Sequence, residues 1–578
     1  MVRRRRLAAG LFFLALVACA RAPAVDPPRA PASWPYPLDA PAVEGVHGMV
    51  VADAPLATRV GVEVLREGGN AVDAAVATAF ALAVVLPSAG NLGGGGFLLA
   101  RVAGETYALD FRETAPAAAE RDMYLDASGE PTEQSLTGHL ACGVPGSVAG
   151  LFEAHRKLGS RPWASLVEPA IQLAENGFEV DADFAAAVAA DAARLSRFAG
   201  SAAMFLPAGK PLARGERFRN PDLARTLRRI AEQGARGFYE GATADAIADE
   251  MLRGGGILTR ADLRDYRARW REPLEFSYRG HRVIGMPPPS SGGIALALIA
   301  GQLASTDLAE LGWRSATEVH RQVEAFRRAF AVRNSVLGDP DFVEIPLERL
   351  LAPAFAAELA TSISTEHATP SARVSPGIGG DGEGRHTTHF SVADGRGDVV
   401  ALTTTLNGSH GSAVTVAGAG FLLNNEMDDF TVKPGAPNLF GLVQGEANAI
   451  EPGKRMLSSM TPVIALDPAG GPLLVTGASG GPHIITAVFL VLSARLDHEL
   501  GIVAAVSAPR FHHQHVPDVI AAERGGLDAG VVRELERLGH TIRWFDPLAG
   551  SLAATLERRD GRWYGVSDPR THGLALGY

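Results

Sequence analysis

The sequence predicts an α+β protein, on two observations. Helical character fills residues 57–86 and most of 145–369, whereas β-branched runs take over from Thr387. Helices and strands are thus grouped in blocks instead of alternating, which is the α+β pattern. At 578 residues, 47% hydrophobic and 20% charged, the chain can bury a large core.

The start is of another kind. Arg3 to Arg6 precede an apolar run, Leu7 to Ala18, that is too short to span a bilayer as a mature helix and reads as an export signal. It ends in Leu16-Val17-Ala18-Cys19, similar to a bacterial lipobox, in which the Cys becomes the lipidated first residue; an ordinary signal peptide or twin-arginine export is the competing reading. The expected division is a signal over 1–18 and a lipidated tether over 19–47, rich in Pro and Ala. Ala20 stands where an Asp suggests inner-membrane retention, so the expected location is the periplasmic side of the outer membrane. Loss of four arginines with the signal moves the net charge from −10 to −14, which attracts neither nucleic acid nor anionic lipid. Membrane contact is expected only through the lipid. Cys142, the other cysteine, reads as a small buried residue.

The fold is expected to begin near Gly48. Val60, Val64 and Leu65 make a helical face, Gly68-Gly69-Asn70 breaks it, and Ala71 to Leu86 forms a helix whose lone charge, Asp73, implies burial on most sides. The glycine cluster Asn91 to Gly96 leads into a strand at Phe97–Val102. No Gly-Lys-Ser/Thr follows it, so close backbone packing is a better reading than a phosphate loop. The middle is mostly helical, with Arg-rich amphipathic segments such as Ser315 to Phe330, and the turn Pro287 to Gly293 interrupts it. Val374 to His386 carries Gly377, Gly379, Gly380, Gly382 and Gly384 and reads as a hinge or cleavable linker. Thr387–Ala393 and Val399–Leu406 then form a hairpin around Gly395-Arg396-Gly397. That loop length sets Thr387 opposite Thr405, and a four-residue loop would shift the pairing by one.

A threonine hydroxyl needs a nearby base, and an N-terminal threonine has one in its own amine, with a pKa of about 7.7 to 8.0. Cutting before Thr387 would create it. The residues around it are specific: Thr387-Thr388-His389-Phe390-Ser391-Val392, Thr405-Leu406-Asn407, Asn424-Asn425-Glu426-Met427-Asp428-Asp429-Phe430, Leu457-Ser458-Ser459-Met460 and Gly477-Ala478-Ser479-Gly480-Gly481 occur in this order. Upstream stand Gly68-Gly69-Asn70-Ala71-Val72-Asp73-Ala74, Asp110-Phe111-Arg112-Glu113-Thr114-Ala115-Pro116 and the Pro-Pro-Pro-Ser-Ser-Gly-Gly turn. Together they closely resemble gamma-glutamyltransferases, from about Gly48 to Tyr578.

The resemblance implies an N-terminal-nucleophile hydrolase, a four-layer αββα sandwich built from both products of self-cleavage at His386–Thr387. These are a large subunit, 48–386, and a small subunit, 387–578. Thr387 is implied as the nucleophile, first on the carbonyl of His386 and then on a gamma-glutamyl donor such as glutathione, with water, an amino acid or a peptide as acceptor. Thr405 holds the hydroxyl, and Gly480 and Gly481 offer backbone donors to an oxyanion. A zwitterionic glutamyl end needs a cation and anions: Arg112 with Ser458 and Ser459 for the carboxylate, Glu426, Asp429 and Asn407 for the ammonium. Of the adjacent acids, Asp429 and not Asp428 faces the ligand. Lys433 to Gly441 resembles a lid loop, with Phe440 where several members have Tyr. No cofactor and no metal are expected.

Three other readings compete. Gly477-Ala478-Ser479-Gly480-Gly481 also fits a nucleophile elbow, but Ser479 comes too late for the remaining strands, acid and His. Phe511-His512-His513-Gln514-His515 looks like a metal cluster, yet adjacent His residues diverge in extended chain, and a structural role fits better. An acylase of glutaryl or cephalosporin type, or a catalytically silent surface lipoprotein, would keep the export signal without the glutamyl chemistry; the presence of Asp429 argues against the first.

Overall fold

Two antiparallel sheets stack face to face, and each is completed by strands from both sides of the glycine-rich stretch. The computed structural model describes residues 29–374, 387–546 and 552–578. The expected signal, Cys19, His386 and most of the glycine-rich segment lie outside the described residues.

The first sheet runs, in order, Leu574–Gly577, Gly48–Ala52, Thr387–Asp394, Val399–Thr405, Gly95–Val102, Glu105–Phe111 and Arg269–Arg271. The second runs Val43–Gly45, Arg562–Ser567, Leu552–Arg559, Pro472–Thr476, Val463–Leu466, His281–Gly285 and Leu274–Tyr278, with Ala478–Ser479 against Leu552–Arg559. Side chains along the Thr387–Asp394 strand alternate. Phe390 and Val392 join the core under the helices Pro55–Arg66 and Ala71–Val85. Thr387, His389 and Ser391 share the opposite face, where Ser391 Oγ donates to Ala554 O of the second sheet at 3.0 Å. The other core fills the space between the sheets and continues to the helices Gly292–Gln302, Ala316–Val336 and His483–Leu496. Helix, sheet, sheet, helix is the four-layer order the resemblance implied.

Local rules account for the elements nearest the site. All residues of the Ala71–Val85 helix are buried, as its composition required, and Asn70 and Asp73 cap it reciprocally, each side chain accepting the other's N–H at 2.8 and 2.9 Å. The glycine cluster packs backbone on backbone: a Cβ on Gly94 would stand 2.0 Å from the carbonyl oxygen of Thr405.

Three expectations need correction. The fold starts before Gly48: Val43–Gly45 is already a sheet strand, and Trp34 is buried with its Nε1–H on Ser507 O at 2.9 Å. A single Trp inside a Pro-rich stretch has no periodicity to announce it. The middle, though mostly helical, also holds five short strands, the pair Phe178–Glu179 and Arg217–Phe218 and the sheet strands Arg269–Arg271, Leu274–Tyr278 and His281–Gly285, whose short runs were hidden among helices. And the segment expected to be an amphipathic helix from Ser315 to Phe330 runs on as the helix Ala316–Val336 and buries arginines as well as apolar residues: Arg327, Arg328 and Arg333 are 1 to 2% exposed.

Candidate active site

Hairpin register places the nucleophile candidate. Thr387 pairs with Thr405, as the three-residue loop predicted. Thr387 Oγ1 donates to Thr405 Oγ1 at 3.4 Å, which also accepts the Asn407 N–H at 2.8 Å. Behind them, Asn91 donates its Nδ2 to Thr405 O at 2.9 Å and to Thr404 Oγ1 at 3.1 Å, fixing the strand end.

Thr387 and Thr405 open onto a narrow cleft lined also by Arg112, Asn407, Glu426, Asp429, Ser458, Ser459 and Gly481, joined by Phe440 and Leu442. Residues separated by hundreds of positions thus meet at one hydroxyl. Arg112 follows the strand Glu105–Phe111 and spans the cleft to Glu426 and Asp429, at 2.5 Å each, with Glu113 at 3.4 Å. One guanidinium here faces three buried carboxylates. Burial opposes the Arg112 charge, but Glu426, Glu113 and Asp429 outweigh it and hold its pKa above the ordinary value. The acids respond oppositely: burial pushes Glu426 far up and Glu113 to about 7, and it raises Asp429 too, despite Arg112. Glu426 touches Arg112 as an ion pair without hydrogen-bond alignment, so both its oxygens remain without an aligned donor, as does Glu113 Oε1.

Glu426 to Asp429 form one 3₁₀ turn, which separates the adjacent acids. Asp429 lines the cleft. Asp428 points elsewhere, accepting from Ser135 Oγ at 2.9 Å and from the Leu439 N–H at 2.8 Å. Asn407, held at φ 74°, donates Nδ2 to Asn425 O at 3.0 Å.

The serine pair Ser458 and Ser459 lines the same cleft. The turn Pro287 to Gly293 supports it: Ser458 N–H donates to Pro289 O, and the Ser291 N–H and hydroxyl donate to Ser458 O at 2.8 and 2.7 Å. Gly481 lines the cleft just before the helix His483–Leu496, and Gly480, its chain neighbour, does not. Among the described residues neither N–H has an acceptor, and Gly481 sits at φ 56° with the Phe440 ring 2.6 Å from where a Cβ would be. The loop carrying Phe440, Lys433 to Gly441, is held by Lys433 Nζ on Glu130 Oε1 at 2.9 Å, the Leu439 N–H on Asp428, Asn438 Nδ2 on Asp429 Oδ1 at 3.2 Å, and Gln514 Nε2 on Phe440 O at 3.0 Å.

The family model for gamma-glutamyltranspeptidase matches residues 57–578. The chain belongs to the gamma-glutamyltranspeptidase family. It is 44% identical over 560 residues to a glutathione hydrolase proenzyme of Escherichia coli strain K12, covering 96% of each chain. Among solved structures it is similar to a cephalosporin acylase from Bacillus halodurans, with a TM-score of 0.84, 28% identity and coverage of 95% and 99% of the two chains. It is also similar to the Helicobacter pylori gamma-glutamyltranspeptidase, with a TM-score of 0.56 and 41% identity over 59% of this chain and 97% of that one.

Within this gamma-glutamyltranspeptidase frame the other motifs have structural places. Ser479 is buried in the two-residue strand Ala478–Ser479 and does not line the cleft. The histidines of 512–515 diverge as expected: His512 bonds Thr486 Oγ1 and Gln514, His513 faces Asp518, and His515 bonds Ser371 O. Burial lowers His512 far below its usual pKa and His513 to about 4, so both are neutral packing elements. The sequence reading missed Arg333, Gln444, Asn438, Gln514 and Asp428. Asp428, Asn438 and Gln514 lay inside quoted motifs, where Asp428 was set aside and the other two were given no role; Arg333 and Gln444 lay in none.

Proposed function

We propose that the chain cuts itself between His386 and Thr387 and then uses Thr387 to transfer gamma-glutamyl groups, from glutathione or related donors, to water or to the amine of an amino acid or peptide. The observation that carries this is the meeting of Thr387 with Arg112, Glu426, Asp429, Ser458 and Ser459 in one cleft. A glutamyl end is a zwitterion, and this cleft already contains an internal ion pair of the same shape. The substrate ammonium takes the place of the guanidinium at Glu426 and Asp429, while the substrate carboxylate takes the place of those acids at Arg112. Charge is therefore exchanged without leaving any group unpaired.

In the first reaction Thr387 Oγ adds to the carbonyl of His386, the peptide bond becomes an ester, and water opens it. The freed amine of Thr387 then serves as base. Its hydroxyl adds to the gamma carbonyl of the donor, and the oxyanion that forms lies by the N–H groups of Gly480 and Gly481. Loss of one such donor costs about 2.7 to 4 kcal/mol of barrier. The amine product leaves with the proton, and water or an acceptor amine attacks the acyl ester. Thr405 keeps the nucleophile oriented throughout.

The related proenzymes support processing into two chains. Export and lipidation at Cys19, with anchoring at the periplasmic face of an outer membrane, are part of the same proposal and rest on the signal-like sequence alone. The test is glutamate release from glutathione, with and without an acceptor dipeptide, against a glutaryl amide that lacks the ammonium. The glutamyl donor should react far faster. Equal or preferred turnover of the glutaryl amide would instead assign an acylase.

A further inference from the structure

Behind Ser459 lies a second buried cation. Arg333, near the end of the helix Ala316–Val336, is 1% exposed and does not line the cleft. Its hydrogen bonds all run to neutral oxygens: Nε–H to Ser291 Oγ at 3.0 Å, Nη1–H to Asn334 Oδ1 and Gln444 Oε1 at 2.9 Å each, and Nη2–H to Ser459 Oγ at 3.1 Å. Among the described residues no carboxylate reaches ion-pair distance of it. Burial draws its pKa down to about 10, with Asp429 pushing it up and Arg112 adding to the lowering, so it is charged at neutral pH. A buried guanidinium matched only by neutral acceptors is costly unless a negative group comes near.

The hydrogen-bond directions show what it does to the cleft. A serine hydroxyl can donate or accept, and in isolation nothing decides between the two. Ser459 Oγ already accepts from Arg333, and Ser458 Oγ already accepts from the Met460 N–H at 3.1 Å. Both hydroxyl protons are thereby left to donate, and both serines line the cleft. Gln444 links the same arginine to the acidic wall, since its Nε2 donates to Asp429 O at 3.1 Å.

We propose that Arg333 is a positioning and specificity-determining residue that acts through Ser459, polarising its hydroxyl as a donor to the alpha-carboxylate of the substrate. This rests on the gamma-glutamyl reading above. Arg112 would then be the cation in direct contact with the carboxylate, and Arg333 the one that reads it at one remove.

The test is steady-state kinetics with a gamma-glutamyl anilide on the processed two-chain protein. Arg333→Gln should raise KM about 10- to 100-fold, the range for losing a charge-assisted hydrogen bond, and leave kcat within about threefold. Ser459→Ala should raise KM comparably, and the double variant should be no worse than the poorer single one, because both changes break one relay. Inhibition by glutamate should weaken in Arg333→Gln while inhibition by 4-aminobutyrate, which lacks the alpha-carboxylate, stays the same. Additive effects in the double variant, a loss in kcat at unchanged KM, or equal weakening of both inhibitors would overturn the inference. Should Arg333→Gln fail to fold or process, Arg333→Lys keeps the charge without the fork. A raised KM there supports the relay, and an unmoved KM refutes it. Wild-type protein inert towards the anilide would sink the gamma-glutamyl reading itself; active wild type with an unmoved variant KM would sink only the role of Arg333.

Discussion

Two buried ion networks in this molecule are built from the same residue types and behave oppositely. In the first, Arg570 and Arg510 meet Glu523 and Asp568, two cations against two anions. Arg570 grips Glu523 through Nε and Nη2 at 2.7 Å each and Asp568 through Nη1 at 3.0 Å, and Arg510 reaches the other Asp568 oxygen at 2.7 Å. The N–H groups of Ala553 and Arg570 also donate to Asp568. Burial opposes the Asp568 charge, but the two arginines outweigh it and its pKa falls. In the second, Arg112 alone faces Glu113, Glu426 and Asp429, three carboxylate oxygens lack an aligned donor, and the acids are pushed up. The first network is complete and structural. The second is short of donors by its own residues; in the proposed complex a substrate ammonium supplies donors to Glu426 and Asp429 while the substrate carboxylate takes Arg112, and these open acceptors are what set it apart from a structural network.

The widest way to break this contrast is to remove one arginine from each network. Arg570→Met leaves two buried acids without their main partner and should cost about 3 to 5 kcal/mol of stability, read by urea unfolding. Arg112→Gln should cost clearly less in the same titration, because its raised acids can take up protons instead, yet should lower kcat/KM for a gamma-glutamyl donor at least about 100-fold. Equal stability losses would erase the distinction. A smaller and sharper effect is expected from Asp429→Asn: KM for the glutamyl donor should rise about 10- to 100-fold, while turnover of a glutaryl amide should hold or improve, since that donor brings no ammonium to pair.

The smallest effect concerns pH. Burial lifts Asp428 to about 7 in the folded protein, against about 3.9 in an unfolded chain. A raised acid pKa means that the folded state binds the proton more tightly, so its contribution to stability is present below about pH 4 and is lost as pH rises towards 7. Asp428→Asn should flatten that part of the stability profile in unfolding titrations at pH 4.5, 6 and 7.5. An unchanged slope would remove Asp428 from the account.

What could be read from sequence was what depends on local rules. Strand alternation and loop length put Thr387 opposite Thr405, and an almost chargeless run made the Ala71–Val85 helix fully buried. The motifs carried the cleft residues through resemblance, but not their mutual arrangement: nothing near Arg112 in the chain says that it closes on Glu426 and Asp429, more than three hundred positions away. Arg333 was illegible for a different reason. An arginine late in an amphipathic helix ordinarily lies in water, and only the Pro287–Gly293 turn and the distant Gln444 and Ser459, brought against it by the fold, make it a buried cation. Trp34 and the strands of 269–285 escaped because isolated apolar residues and short runs carry no period.

The central claim is that Thr387 is both the site of the cut and the residue that carries the acyl group. N-terminal sequencing of the smaller chain of the purified protein tests it most directly, alongside Thr387→Ala. The account predicts a 192-residue chain of about 20 kDa beginning Thr-Thr-His-Phe-Ser, and an uncut, inactive Thr387→Ala protein. A single full-length chain that turns over a gamma-glutamyl donor, or a small chain that begins at any other residue, would contradict it.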